Sequence, residues 1–352
     1  MSELEKIDYQ VIPRTEFDNI YPWKGIKRCI LRDNGTVNYY LDANDSRKKE
    51  DGTVSNLTGA DGQVMVEIPK FWWKWEVGTI DGKRTFRWYI SDTQEVGYTV
   101  HPAFFRDRNN DGNAEEVDFR YYSAYMGSEV NGKLSSITGK YPSVNKNLSS
   151  FRNISQSRGF GWGLVDYNLI NAVQLLYLLE YGNFNSQVEI GRGYVDGNSS
   201  TSITGTTNLY GNNSYGSTSG KTQMSYRGIE DLWGNVQYWI EGIFSDSNRS
   251  ILIGNKGFND NGNGYSDTGV AMNSNVSGYI EDIVDNPNSG FIIKKGGTLQ
   301  NSYLTDYGYL YSSRNASMGG NSTSSDNAGA FSISINLNSL YYSQSLGARI
   351  TY

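Results

Sequence analysis

Asp107-Arg-Asn-Asn-Asp-Gly-Asn-Ala-Glu-Glu-Val-Asp118 holds the densest set of metal-type ligands in the chain. Asp107, Asn109 and Asp111 stand at the first, third and fifth positions of a calcium loop, with Gly112 at the sixth, where such a loop turns sharply. Glu115 is ninth, and Asp118 is twelfth in place of the bidentate Glu. The candidate ligands of a structural calcium ion are thus Asp107, Asn109, Asp111, Asn113 and Asp118. The alternative is an Asx-rich hairpin tip. Pro102 on one side and the aromatic run Phe119–Tyr125 on the other do not look like an EF-hand helix pair. Asn259–Gly264 is a weaker echo of the same pattern.

Other chemistry is sparse. Cys29 is the one cysteine and His101 the one histidine, which excludes an internal disulfide, a cysteine metal cluster and a multi-histidine site. A Ser-His-Asp set has only His101 to draw on, and no glycine-rich phosphate loop follows a strand. Glu230/Asp231 and Glu281/Asp282 are adjacent pairs. Neighbours on a strand point to opposite faces, so neither pair makes a glycosidase dyad by itself. No catalytic residue is assigned, no cofactor is required beyond the calcium alternative, and the chain reads as a binder rather than an enzyme.

The bulk composition agrees. Of 352 residues, 14% are aromatic, including 27 Tyr and 8 Trp, while only 19% are charged. Solubility therefore rests on Asn, Ser, Thr and Gly, the composition of a loop-rich β protein. Rigid Tyr beside adaptable Ser, Gly and Asn is also the palette of binding surfaces. A net charge of -6 and a pI near 5.0 disfavour nucleic acid. The N-terminus lacks an apolar signal-peptide core, and no apolar run reaches the ~20 residues of a membrane helix. Synthesis in the cytoplasm without membrane insertion is expected.

The elements that would position these residues are mostly strands. Lys27–Leu41 reads as a hairpin around Asp33-Asn34-Gly35. Val64, Val66 and Ile68 alternate in a strand ended by Pro69. Phe71, Trp72, Trp73 and Trp75 follow, with a second strand at Thr85–Ser91 across an Asp81-Gly82 turn. These aromatics read as core and cross-strand packing, with a sugar platform as the alternative. Ser149 or Ser150 caps a first helix. Asp166 caps a second, carrying Leu169, Ile170, Val173, Leu176 and Tyr177 at helical spacing, and Gly182 stops it. Gly191–Gly220 and Ser245–Asn288 read as long polar surface loops. The C-terminal quarter pairs strands at Phe291–Ile293, Phe331–Leu337 and Leu346–Ile350 with Tyr/Asn/Ser segments between them.

The stretch Arg227–Gly242 gathers Trp233, Tyr238 and Trp239 around Gly234-Asn235, a pair suited to a tight turn. Val236, Tyr238 and Ile240 then alternate as a strand with one buried face. Gly-Asn-Val-aromatic-x-Trp resembles the signature of the formylglycine-generating (sulfatase-modifying factor-like) family. That signature is shared with phage tail receptor-binding proteins and with variable proteins diversified by retroelements. Gly234, Asn235 and Trp239 carry the resemblance, and Gly347-Ala-Arg349 resembles the family's Gly-aromatic-Arg ending, with Ala348 in place of the aromatic. The Tyr21–Trp23, Gly62–Trp75 and Val100–Phe104 segments are similar to the N-terminal half of the lectin-fold tail proteins.

The resemblance implies an α+β, C-type-lectin-like fold: twisted β-sheets, two flanking helices and long polar loops. It divides the chain into residues 1–45, an arm or hairpin for attachment or oligomerisation, and residues 46–352, a lectin-like domain with binding loops at 296–345. The enzymatic members use a cysteine pair near the C-terminus that binds copper, and Cys29 cannot supply it. The implied function is a phage or prophage tail receptor-binding protein on the virion. It would bind a bacterial surface polysaccharide or protein, contact other tail proteins, and form a homo-oligomer, with a trimer favoured. Its face would come from Gln300–Tyr311, Asn315–Asn327 and Asn338–Ser345. The contact residues would be Tyr303, Tyr307, Tyr309, Tyr311, Tyr341 and Tyr342, with Asn301, Asp306 and Asn338 as polar partners. The alternatives are a retroelement-diversified ligand-binding protein and a structural tail or baseplate component.

Overall fold

Gly234 and Asn235 both take positive φ, 83° and 61°, the left-handed conformation these two residue types adopt at least cost. Their turn lies at the centre of a computed structural model that describes residues 14–108, 111–198, 200–302 and 304–352. Asn235 is fully buried, and its amide donates to Asp231 Oδ2 (2.8 Å) and the Ser202 carbonyl (3.1 Å). Arg349, also fully buried, clamps the approach to the turn. Its guanidinium donates to the carbonyls of Glu230, Asp231 (2.6 Å) and Ser123 (3.2 Å). Trp239 is fully buried beyond the turn.

The elements are, in chain order, β1 (Lys27–Leu31), β2 (Val37–Tyr40), β3 (Gln63–Pro69), β4 (Trp72–Ile80), β5 (Lys83–Ser91), β6 (Thr99–Val100), β7 (Phe105–Arg106), β8 (Glu115–Glu116), β9 (Phe119–Ser123), β10 (Ser128–Val130) and β11 (Lys133–Ser135). Next come α1 (Leu148–Gln156), β12 (Gly163–Leu164), α2 (Tyr167–Tyr181), α3 (Ser186–Glu189), β13 (Ser225–Tyr226), β14 (Ile229–Glu230), β15 (Gln237–Ser245), β16 (Ser250–Ile253) and β17 (Ser266–Ala271). The chain finishes with β18 (Val276–Ile283), β19 (Ile293–Gly297), β20 (Tyr307–Leu310), β21 (Arg314–Met318), β22 (Ile333–Leu337), β23 (Leu346–Ala348) and β24 (Ile350–Thr351).

Two sheets carry the architecture, which is mostly β with few helices. A six-stranded sheet runs β12-β24-β9-β3-β1-β2. A nine-stranded sheet runs β17-β16-β15-β21-β22-β20-β18-β19, with β23 beside β15. β1 and β2 pair as a hairpin inside the first sheet, and Phe17 and Trp23 are already buried in the core, so the segment read as an arm or hairpin belongs to the main body from there on; residues 1–13 lie outside the described residues. Val64, Val66 and Ile68 alternate along β3, yet all seven of its residues are buried. It lies between β1 and β9 and faces two hydrophobic clusters, with Val64, Val66 and Ile68 in one and Met65 in the other. β15 behaves alike: Tyr238 and Ile240 enter the first cluster and Trp239 the second.

The helices flank this core. Asp166 caps α2 by accepting from the Leu169 N–H (3.0 Å), and Gly182 ends it at φ 59°. Asp166 also pairs with buried Arg120 at 2.5 Å. The cap of α1 is Asn147, not Ser149 or Ser150; Asn147 Oδ1 accepts from the Ser150 N–H at 2.9 Å. α3 is an additional single turn. The polar stretch 191–220 is no free loop, because Gly205 and Thr207 donate backbone N–H groups to buried Glu230 at 2.7 and 2.8 Å. The stretch 245–288 likewise contributes β16, β17 and the whole of β18 to the larger sheet. Among the described residues no helix is long and apolar enough to cross a membrane.

Candidate functional site

Residues 307–311 are a strand and its continuation, where the sequence suggested a loop. Successive strand side chains alternate faces. Leu310 is therefore fully buried against the core, and Gly308 leaves room there for Ile280 and Ile293. Tyr307, Tyr309 and Tyr311 share the outer face and are half-buried. Their rings follow one another at 5.0 Å and 5.9 Å between centroids. Tyr279 on β18 lies opposite Tyr307 in register and packs edge-on to it at 5.4 Å. Burial, then the neighbouring tyrosines, raises the pKa of Tyr309, which keeps its hydroxyl neutral and able both to donate and to accept.

Small polar residues border this row. Ser277, exposed, pairs with Tyr309 from β18, and Ser334 pairs with it from β22. Asn275 Oδ1 accepts from the Ser312 N–H (3.3 Å) at the Tyr311 end. At the Tyr279 end the charged side chains are paired, Arg192 with Asp326 at 2.9 Å and Lys295 with Glu281 at 2.5 Å. β20 and β22 run parallel, so the segment after β22 leaves at the Tyr311 end of the row. Asn338, Leu340, Tyr341 and Tyr342 are exposed there, Leu340 at 68% and Tyr342 at 64%.

The expected contact residues thus divide. Tyr307, Tyr309 and Tyr311 come together, and Asn338, Tyr341 and Tyr342 lie on an exposed loop of the same sheet end. Tyr279 was missed, although Val276–Ile280 carries the same alternation. Asp306 is corrected: it is fully buried, and its Oδ2 accepts from the Phe331 N–H at 2.6 Å. It precedes Tyr307, so the alternation that turns Tyr307 outward turns Asp306 inward. Burial pushes its pKa up to about 8. The first half of Asn315–Asn327 is also buried, as β21 in the middle of the sheet. Asn301 lies in a short turn before the row, while Tyr303 falls outside the described residues.

The structure describes part of the calcium-type loop. Asp107 accepts from the N–H groups of Asp111 (3.0 Å) and Gly112 (2.9 Å), and Asp111 Oδ1 accepts from Asn113 (2.8 Å). Asp118 pairs with Lys70 at 2.8 Å. These carboxylates serve the tip and base of the β7–β8 hairpin; Asn109 lies outside the described residues. Among the described residues no group of three or more His, Cys, Asp and Glu is placed to hold a metal ion.

The remaining reactive groups serve packing. Cys29 is fully buried and burial pushes its thiol pKa up. His101 caps a short helical turn, Nδ1 accepting from the Ala103 N–H (3.2 Å) and Nε2 donating to Asn171 Oδ1 (3.2 Å). Burial lowers its pKa to about 3, so the imidazole is neutral. A recess of about 350 Å³ lies beside Trp72, Tyr98, Phe105 and Glu116, but Lys70 already holds Glu116 at 2.7 Å.

No protein-family model and no curated protein matches the chain. Among solved structures, a Major Tropism Determinant P3c variant is similar at 10% identity and a TM-score of 0.33, over 84% of this chain and 83% of that one. PvdO from Pseudomonas aeruginosa is similar at 13% identity and a TM-score of 0.30, over 85% of this chain and 97% of that one. Both overlaps are loose, and neither carries a function to this chain.

Proposed function

We propose that this protein is a phage or prophage tail receptor-binding protein that grips a bacterial surface ligand with the tyrosine row of its larger sheet. The observation that carries the reading is the half-exposed row Tyr279, Tyr307, Tyr309 and Tyr311 on a rigid sheet, extended by the loop bearing Asn338, Tyr341 and Tyr342. Tyrosine offers contact area at low entropic cost, and a strand fixes it better than a loop would. The tail setting and the C-type-lectin-like fold rest on the Gly-Asn-Val-aromatic-x-Trp resemblance, with Gly234, Asn235, Trp239 and Arg349 as the frame. Catalysis is not part of the proposal, since Cys29, His101 and Glu230 are all committed inside the protein. Placement on the virion as a homo-oligomer, a trimer by preference, would multiply weak single contacts.

The test is adsorption of tagged protein to a panel of bacteria. The Y307A/Y309A double variant should bind at least about tenfold more weakly, as loss of two aromatic contacts implies, while its circular dichroism shows that the fold is kept. Unchanged adsorption to a strain that binds the parent protein would remove the reading.

A further inference from the structure

The tyrosine row has a shape and a charge pattern that narrow its ligand. Tyr307, Tyr309 and Tyr311 stand in one line along β20, one ring following the next at 5.0 Å and 5.9 Å. The partners beside Tyr309 are serines, Ser277 and Ser334, so the rings stand above lower shoulders. The row and its shoulders carry no charged side chain; at the Tyr279 end the charged side chains are ion-paired, and beyond Tyr311 the Arg314 guanidinium donates to the Ser313 carbonyl. Such a strip offers ring faces and edges to C–H-rich surfaces and neutral hydrogen bonds to hydroxyls. It offers no counter-charge to a phosphate, uronate or sialate.

Building on the proposed receptor-binding role, we infer that the ligand is an uncharged glycan chain lying lengthwise along Tyr307, Tyr309 and Tyr311. Successive sugar rings of an extended chain repeat at a spacing close to that of these side chains, so each ring meets one tyrosine. Ser277, exposed, lies beside the ring over Tyr309, while Ser334 is buried beneath the other side. A protein ligand fits less well, because the two best-formed recesses, beside Trp72 and beside Asp33, lie away from the strip and an anchoring side chain seeks such a recess.

The experiment uses the full-length protein and a strain that adsorbs it. Cells are treated in parallel with periodate, which cleaves vicinal diols, or with proteinase K, and binding is repeated in 1 M NaCl. Periodate should lower binding at least about tenfold, while proteinase K and high salt should change it by less than about twofold, since a neutral ligand escapes screening. Y309A should weaken binding to the neutral polysaccharide released from those cells about tenfold, and Y309F should remain within about threefold of the parent. Loss of binding to proteinase K with resistance to periodate would overturn the glycan while leaving the receptor-binding role intact. Collapse in high salt would overturn its neutrality. Indifference of cell adsorption to Y307A/Y309A would instead remove the role itself.

Discussion

Asp306 and Tyr307 are sequence neighbours with opposite surroundings, and the acid carries a consequence in pH. Its pKa is about 8 in the folded protein and near 4 in an unfolded chain. Between these values the native state keeps a proton that the unfolded state has lost. Stability from this group is thus complete below pH 4 and declines as pH rises toward 8. D306N keeps an acceptor for the Phe331 N–H without that decline. Chemical denaturation should show the variant gaining on the parent by on the order of 3 kcal/mol between pH 4.5 and 8; parallel profiles would refute it. His101 acts from the other side. Its pKa, lowered from 6.5 to about 3, means that stability is lost as pH falls through that interval. The uncharged, inward Asp306 was not legible in the sequence because an acidic residue among polar ones reads as exposed; only the alternation Tyr307-Gly-Tyr-Leu-Tyr311 signals otherwise.

At the scale of elements, α2 was readable because both ends carry their stop signals, Asp166 and Gly182, around an apolar stretch. Asp166 does more than cap. Replacing Arg120 by Met strands its carboxylate in the core and should cost about 3–5 kcal/mol, whereas N147A, which removes only the α1 cap, should cost about 1 kcal/mol. Equilibrium unfolding in urea distinguishes the two. The β7–β8 hairpin gives a second check: with Asp107 bonded to its own backbone and Asp118 to Lys70, millimolar calcium or EDTA should leave the melting temperature unchanged within about 1 °C. β21 was obscured by Asn, Ala and Ser, and β20 by Gly308 and its polar flanks, residues of low strand propensity. Their place comes from long-range pairing, and their own composition does not announce it.

For the whole molecule, composition was a good guide to class and a poor one to boundaries. Many aromatics and few charges foretold a β-rich body, and the Gly234-Asn235 turn was visible as its centre. The stretch of Gly, Asn, Ser and Thr between residues 191 and 220 read as a surface loop, yet its backbone N–H groups satisfy the buried carboxylate of Glu230. E230Q leaves one of the two carboxylate oxygens replaced by a donor facing other donors, so it should destabilise the fold by about 1–3 kcal/mol, read as a lower urea midpoint. Pairings such as β20 beside β22 and β15 beside β23 join segments that no local pattern links.

The position of residues 346–351 has a consequence for how the two sheets hold together. β23 lies against β15 in one sheet, β24 lies between β9 and β12 in the other, and Arg349 sits between them on the carbonyls of Glu230 and Asp231. Without these few residues each sheet lacks a strand and the turn lacks its clamp, so one short segment ties both sheets to the Gly234-Asn235 turn. Damage there would loosen both sheets at once.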